Sequence, residues 1–223
     1  MQSPTVLFFD VAETLIDLAE PVPRVYTRFA KAAGLALDEE SVSRQLKEAW
    51  VSLPDPTDPG DKAERDWWRE LVREAIGRSN DQARRFCRSE DFNPFFDRLF
   101  DYYAKAEAWR VYDDTVPALV KARSAGKRLG VISNFDDRLH PILDQLELSA
   151  YFEVIINSSS AGHRKPQAEI FNLACEKMSA SPSECLHVGD SYERDYRGAV
   201  AAGLQAHHLK RPDETLLSVD LLS

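Results

Sequence analysis

The strongest constraint on the fold is a repeated pattern: a short apolar run that stops abruptly on small or polar residues. Val6-Leu7-Phe8-Phe9 stops on Asp10, and three later segments share that character. They are Arg128-Leu-Gly-Val-Ile-Ser133, Phe152-Glu-Val-Ile-Ile156 and Cys185-Leu-His-Val-Gly189. Helical periodicities over Phe135–Glu147, Ala168–Lys177 and Asp195–Ala202 lie between and after the later runs, and a further short strand is expected at Ala206–Leu209. Strand–helix alternation of this kind predicts an α/β fold, a parallel sheet with helices on both faces. Open sheets of this class place their chemistry at the carboxyl ends of the strands, which is where Asp10 would stand.

The stretch from about Asp17 to Ala108 departs from that rhythm. It carries helical patterns at Val22–Ala33, closed by Gly34, and at Asp38–Trp50, Asp61–Ile76 and Phe92–Ala108, with almost no strand signal. Asp38 ahead of Glu39, Glu40 and Ser41 suits a capped helix start. The segment Leu53–Gly60 holds three prolines and a glycine and is expected to be a loop, because such residues do not sit together inside a helix. The expected organisation is therefore discontinuous: 1–16 and 109–223 form an α/β core, and 17–108 form a helical insertion. A chain of 223 residues has room for one good-sized core and a small inserted domain.

Composition narrows the function classes. A formal net charge of −9 leaves no basic excess to mark nucleic acid as a partner. Asp10 interrupts the only apolar run near the N-terminus, so neither a signal peptide nor a membrane span is expected. Cys87, Cys175 and Cys185 lack CxxC spacing and are expected to be reduced core thiols of a cytoplasmic protein. Nothing in the sequence sets an oligomeric state.

Four segments carry chemistry. Asp10 is acceptor-only when ionised, so at a strand end it suits a nucleophile or a metal ligand; the plain alternative is a turn or capping residue. Ser133, at the end of Val131-Ile-Ser-Asn134, has a hydroxyl able to donate to a phosphoryl oxygen, with the Asn134 amide beside it. Lys165 precedes Pro166, which holds it out of the helix that follows; its ammonium suits neutralisation of a nucleophile–phosphate pair, although a lone Lys-Pro is ordinarily a solvated loop. In Val188-Gly-Asp-Ser-Tyr-Glu-Arg-Asp195, Gly189 permits a tight exit from the strand and Asp190 suits Mg²⁺, which takes one or two carboxylates and leaves positions for water and phosphate. Asp195 can orient Lys165 or the waters of the metal from behind. His163, near Lys165, has no pattern of its own.

Taken in order, these segments resemble the haloacid dehalogenase superfamily, whose motifs run DxDxT, Ser/Thr, Lys-Pro and GDxxxxD. The match spans nearly the whole chain. The combination DVxxTL, Val-Ile-Ser-Asn-Phe-Asp and His-Val-Gly-Asp-Ser is similar to the subgroup of haloacid dehalogenase-like hydrolase domain-containing proteins. The resemblance implies a Rossmann-like, doubly wound parallel sheet and makes the insertion a helical cap of the first type. It further implies that Asp10 attacks phosphorus to form an aspartyl-phosphate, which water cleaves. Thr14 and Ser133, with Asn134 alongside, would bind the phosphate of a small phosphorylated substrate, and Lys165 would neutralise charge. Mg²⁺ would be held by Asp10, the backbone carbonyl of Ala12 and Asp190, with Asp195 assisting.

One position departs from the family pattern. Phosphatases of the superfamily carry an Asp two residues after the nucleophile as general acid and then base; this chain has Ala12. General acid–base catalysis contributes roughly 10²–10⁴-fold, so alkyl phosphates, with poor leaving groups, should suffer most. Glu13 is adjacent, but its side chain need not point into the site. Phosphonatases also carry Ala there and use a cap lysine to form a Schiff base. Lys31, Lys47, Lys62 and Lys105 are available, yet Arg44-Gln-Leu-Lys-Glu-Ala-Trp50 does not look like the phosphonatase cap motif. The 2-haloacid dehalogenases need no metal and do not keep GDS followed by a second Asp, so Asp190 and Asp195 argue against dehalogenation. The remaining alternative is an inactive member that binds a phosphorylated ligand or a protein. Retention of Asp10, Thr14, Ser133, Lys165, Asp190 and Asp195 favours the enzyme. In the insertion, Trp67 and Trp68 cannot share one helix face, so one is expected in packing and the other at an edge or cleft. Arg73, Arg78, Arg84, Arg85 and Arg88 form a basic patch, either a solvated face or an attraction for an anionic substrate.

Overall fold

In the computed structural model, which describes residues 3–54, 56 and 60–221, the first apolar run is strand β1 (Val6–Phe9) and every side chain in it is buried. The chain continues through β2 (Ile16–Leu18), α1 (Val22–Ala32), α2 (Glu39–Ser52), α3 (Asp61–Gly77), α4 (Asp81–Phe86), α5 (Phe92–Tyr102) and β3 (Trp109–Val111). It then alternates: α6 (Thr115–Ser124), β4 (Arg128–Ser133), α7 (Leu139–Gln145), β5 (Val154–Asn157), α8 (Ser158–Ala161) and α9 (Ala168–Lys177). The last elements are β6 (Cys185–Gly189), a π-helical turn at Tyr192–Arg197, α10 (Gly198–Ala201) and β7 (Gln205–His208). Of the loop expected over 53–60, Asp55 and Thr57–Pro59 lie outside the described residues.

Five strands form one sheet in the order β5-β4-β1-β6-β7, and all neighbours run parallel. Helices flank this sheet, which gives the α/β architecture expected. Val6 and Phe8 pack with Ile132, Ile170, Phe171, Ala174 and Ala199. Leu7 and Phe9, turned to the opposite face by strand alternation, are equally buried. A strand covered on both faces shows as an unbroken apolar run, which is why β1 was so legible. Phe9 pairs with Val131 on one side and Val188 on the other. Asp10 therefore leaves the sheet level with the ends of β4 and β6.

The chain divides into two compact units: Met1–Asp17, Pro59–Asp61 and Arg110–Ser223 in one, Leu18–Asp58 and Lys62–Trp109 in the other. The second unit has its own core, including Val25, Val72, Ile76, Phe92, Phe95, Phe96 and Leu99. Asp38 caps α2 by accepting from the Ser41 N–H at 2.7 Å, a contact worth about 1 kcal/mol. The strands β2 and β3 pair with each other at the two places where the chain crosses between units.

Several boundaries differ from the periodicity. The helix expected from Phe135 begins only at Leu139, because Asp136 accepts from both the main chain and the guanidinium of Arg138 and closes a turn there. The pattern Phe92–Ala108 breaks after Tyr102, and Ala106–Ala108 is a separate 3₁₀ turn. The segment Asp195–Ala202 starts earlier, in a π turn where Asp195 and Tyr196 both donate to the Ser191 carbonyl. Among the described residues no helix is long and apolar enough to cross a membrane.

Candidate active site

The strand ends and the loops that follow them bring six of the sequence-singled residues together within the first unit. Asp10 follows β1 directly and is buried; its Oδ1 accepts from Ser133 Oγ at 3.0 Å and from Lys165 Nζ at 2.6 Å. Lys165 Nζ also donates to Asp195 Oδ1 at 2.6 Å. Carboxylate oxygens of Asp10, Asp190 and Asp195 lie within 4.8 Å of one another. Thr14, fully buried, turns its hydroxyl toward Asp190 Oδ1 at 3.4 Å.

Asp195 is saturated by the protein. Its Oδ1 accepts from Lys165 and from His187 Nε2 at 2.9 Å, and its Oδ2 accepts from the Ser191 N–H at 2.9 Å. By contrast, among the described residues no side chain donates to Asp10 Oδ2 or Asp190 Oδ2. Asp190 Oδ2 thus keeps no side-chain partner beside two further carboxylates, a donor set that suits a hard divalent cation such as Mg²⁺. Gly189 makes the cluster sterically feasible in a way other than the expected tight exit: a Cβ there would overlap the Asp195 carboxylate.

Electrostatics sort these groups. Burial, reinforced by Asp195 and Asp190 and opposed by Lys165, pushes Asp10 up to about 6. Burial, then the charges of Asp195 and Glu13, pushes Asp190 up to about 6 as well. Asp195 is buried too, but Lys165 and His187 outweigh that and hold its carboxyl well below the usual range. Burial works against the charge on Lys165, yet Asp10 and Asp195 more than offset it and keep the ammonium protonated. Burial lowers His187 below its ordinary value, so it is a neutral donor through Nε2. Its Nδ1 is buried without a partner among the described residues.

Other expected positions fall differently. Asn134, expected beside phosphate, uses its whole amide on the Lys165 main chain: Oδ1 accepts the Lys165 N–H at 2.8 Å and Nδ2 donates to its carbonyl at 2.9 Å. Ala12 is half-buried and bridges Ile16, and Glu13 is exposed with φ +60. His163 is exposed. Trp67 and Trp68 both contact Trp50 and each other, with ring centroids 5.0–5.9 Å apart. The basic patch is largely paired: Arg73 caps the Cys87 carbonyl and lies over Phe92, Arg78 meets Glu74, and Arg84 meets Asp81. His187 carries no sequence signal beyond being a polar residue inside an apolar run. Arg211, which binds the Thr14 carbonyl, carries no sequence signal at all.

With this geometry, comparison with known proteins is unambiguous. The model of the haloacid dehalogenase-like hydrolases matches residues 4–203, and the chain belongs to that family. Haloacid dehalogenase-like hydrolase domain-containing protein 3 of Homo sapiens is 30% identical over 205 residues, covering 90% of this chain and 80% of the relative. Glyceraldehyde 3-phosphate phosphatase of Methanopyrus kandleri is 28% identical over 211 residues, covering 92% and 83%. The magnesium-bound structure of the hydrolase YfnB from Bacillus subtilis is similar in fold, with a TM-score of 0.67 at 19% identity over 93% of this chain and 89% of that one.

Proposed function

We propose that this hydrolase is a Mg²⁺-dependent phosphohydrolase that acts on a small phosphorylated substrate through an aspartyl-phosphate on Asp10. The observation that carries the reading is the division of labour at Asp10: Oδ1 is pinned by Ser133 and Lys165, while Oδ2 has no side-chain partner among the described residues. Oδ2 attacks phosphorus, the bond to the leaving oxygen breaks, and water then cleaves the acyl phosphate to release orthophosphate and restore the carboxylate. Lys165 offsets the charge that accumulates on the nucleophile and the transferring group. Thr14 and Ser133 are the phosphate-side hydroxyls. Asn134 serves by fixing the Lys165 main chain, and Asp195 by aiming the Lys165 ammonium. Asp10, Asp190 and the Ala12 carbonyl would hold Mg²⁺, which when bound supplies neutralisation of the phosphoryl oxygens. A phosphatase among the relatives and a magnesium-bound structural neighbour support the same class. In this reading the helical unit is the cap that selects the substrate, and the three free, buried cysteines suit a reducing cytoplasm.

Ala12 favours a second reading, a member that binds a phosphorylated ligand without turnover, because no side chain at that position can protonate a leaving oxygen. One assay separates the two. Mg²⁺-dependent hydrolysis of an aryl, an acyl and an alkyl phosphate, with phosphonoacetaldehyde alongside, is measured for the parent and for Asp10→Asn. Turnover of the aryl and acyl phosphates, lost in Asp10→Asn, is the expected result. Mg²⁺ binding with no turnover of any substrate would favour the binding module, and turnover of phosphonoacetaldehyde alone would move the chemistry to a cap lysine.

A further inference from the structure

The segment after β7 lies beyond the stretch that matches the family model, yet one of its side chains reaches the loop that follows the nucleophile. Arg211 donates from Nε and Nη2 to the Thr14 carbonyl at 3.1 and 2.7 Å. The same Nη2 meets both oxygens of Asp114 at 3.0 and 3.2 Å, and the guanidinium lies 3.7 Å above the Tyr112 ring. Arg211 and Asp114 side chains are only 12% and 11% exposed, so these are desolvated, charge-assisted contacts. Next along the loop, the Leu15 carbonyl accepts from Thr115 Oγ1 at 2.7 Å and from the Tyr112 N–H at 3.2 Å. Both carbonyls that follow the Ala12-Glu13 step are therefore held from outside the loop.

That step needs holding. Glu13 has φ +60, a left-handed conformation that costs a residue with a Cβ roughly 1–2 kcal/mol. Such strain persists only where the surroundings over-determine it. We propose that Arg211 is a positioning residue: it fixes the loop from Val11 to Leu15, and through it the Ala12 carbonyl and the Thr14 hydroxyl, relative to Asp10 and Asp190. The catalytic half of this inference rests on the phosphohydrolase reading, and the structural half does not.

The test compares Arg211→Ala, Arg211→Lys and Glu214→Gln in the full chain. Lysine keeps a charge for Asp114 but loses the planar fork that serves two acceptors at once. Glu214 holds the same segment through His207 and the Lys210 N–H and does not touch the loop. On an aryl phosphate with Mg²⁺, both Arg211 variants should lose kcat by about 10-fold or more with a smaller change in KM, the signature of a misplaced reacting group. Millimolar guanidinium should restore part of the kcat of Arg211→Ala and none of Arg211→Lys. Glu214→Gln should lower the melting temperature with kcat unchanged. Amide exchange across Val11–Leu15 should quicken in Arg211→Ala and stay at the parental rate in Glu214→Gln. If both Arg211 variants keep parental kcat and parental exchange in that loop, the inference is overturned, and Arg211 only anchors the tail. A parent that hydrolyses nothing would sink the phosphohydrolase reading while the exchange arm still decides the role of Arg211.

Discussion

At the scale of single residues, the site is a balance of charges in which each carboxylate has a different fate. Asp195 is satisfied on both oxygens, whereas Asp190 is half-buried beside Asp195 and Glu13 and is pushed up to about 6 from 3.8. Such a group binds more protons folded than unfolded between those values, so the stability it contributes falls as pH rises through that window. Replacing it by Asn should therefore stabilise the metal-free protein above pH ~6 by about 1 kcal/mol, or ~2–4 °C, after discounting for its partial exposure. The difference should vanish below pH ~4, where folded and unfolded states are both protonated. Thermal unfolding in chelator at the two pH values reads this directly; an Asp190→Asn protein less stable than the parent at high pH would contradict the balance. In the phosphohydrolase reading, Ala12 is the complementary case, a missing proton donor rather than a surplus charge. Ala12→Asp should raise kcat/KM on an alkyl phosphate by roughly 10²-fold and on an aryl phosphate by far less, since only the poor leaving group needs the proton. Asp10, Lys165 and Asp190 were legible because strand ends and a Lys-Pro step announce themselves in sequence. Asn134 was legible as a polar neighbour but its partner was not, because the main chain it clamps lies 31 residues away.

At the scale of elements, long helices and doubly covered strands could be read, and short ones could not. β4, α9 and β6 fall on their sequence patterns because each is long enough for its burial to repeat. β2 and β3 have three residues each with mixed burial, too few for any period to emerge. The basic stretch of the insertion shows what pattern reading misses on a helix. Arg65, Arg69 and Arg73 recur every fourth residue on α3 and lie over the rings of Phe100, Phe96 and Phe92 on α5. Arg73, which by pattern could have been a solvated face, is thus packed on an aromatic ring together with Arg65 and Arg69, their stems covering apolar surface. Arg65 adds an ion pair with Asp97 at 2.8 Å. Arg65→Gln should cost about 1 kcal/mol, from a cation–π contact worth ~0.5–1 and a half-exposed ion pair worth ~0–1. Urea unfolding measures it; an unchanged midpoint would mean that the ladder is only a by-product of packing.

At the scale of the whole molecule, sequence order and spatial order diverge. The central strand β1 comes first in the chain, but its neighbours β4 and β6 begin at Arg128 and Cys185. The α/β class could be inferred from alternation alone, whereas the strand order depends on pairings that no local pattern encodes. The tail is the clearest example. After β7 it forms no further strand or helix among the described residues, and the family model stops at residue 203, so by pattern it resembles a dispensable end. Yet Leu209, Leu216, Val219 and Leu221 are buried, and the Leu216 N–H donates to Asp114 at 2.5 Å. Removing the chain from Lys210 onward withdraws three of those side chains from the core. At ~1.5–3 kcal/mol for each large apolar side chain, the loss is comparable with the ~5–15 kcal/mol that stabilises a whole domain. A chain ending at Leu209 should therefore show no cooperative thermal transition by circular dichroism, whereas Arg211→Lys in the full chain should keep one. A truncated protein that melts like the parent would mean that the tail covers the core without stabilising it, and the loop after Asp10 would then be held from Thr115 and Tyr112 through the Leu15 carbonyl.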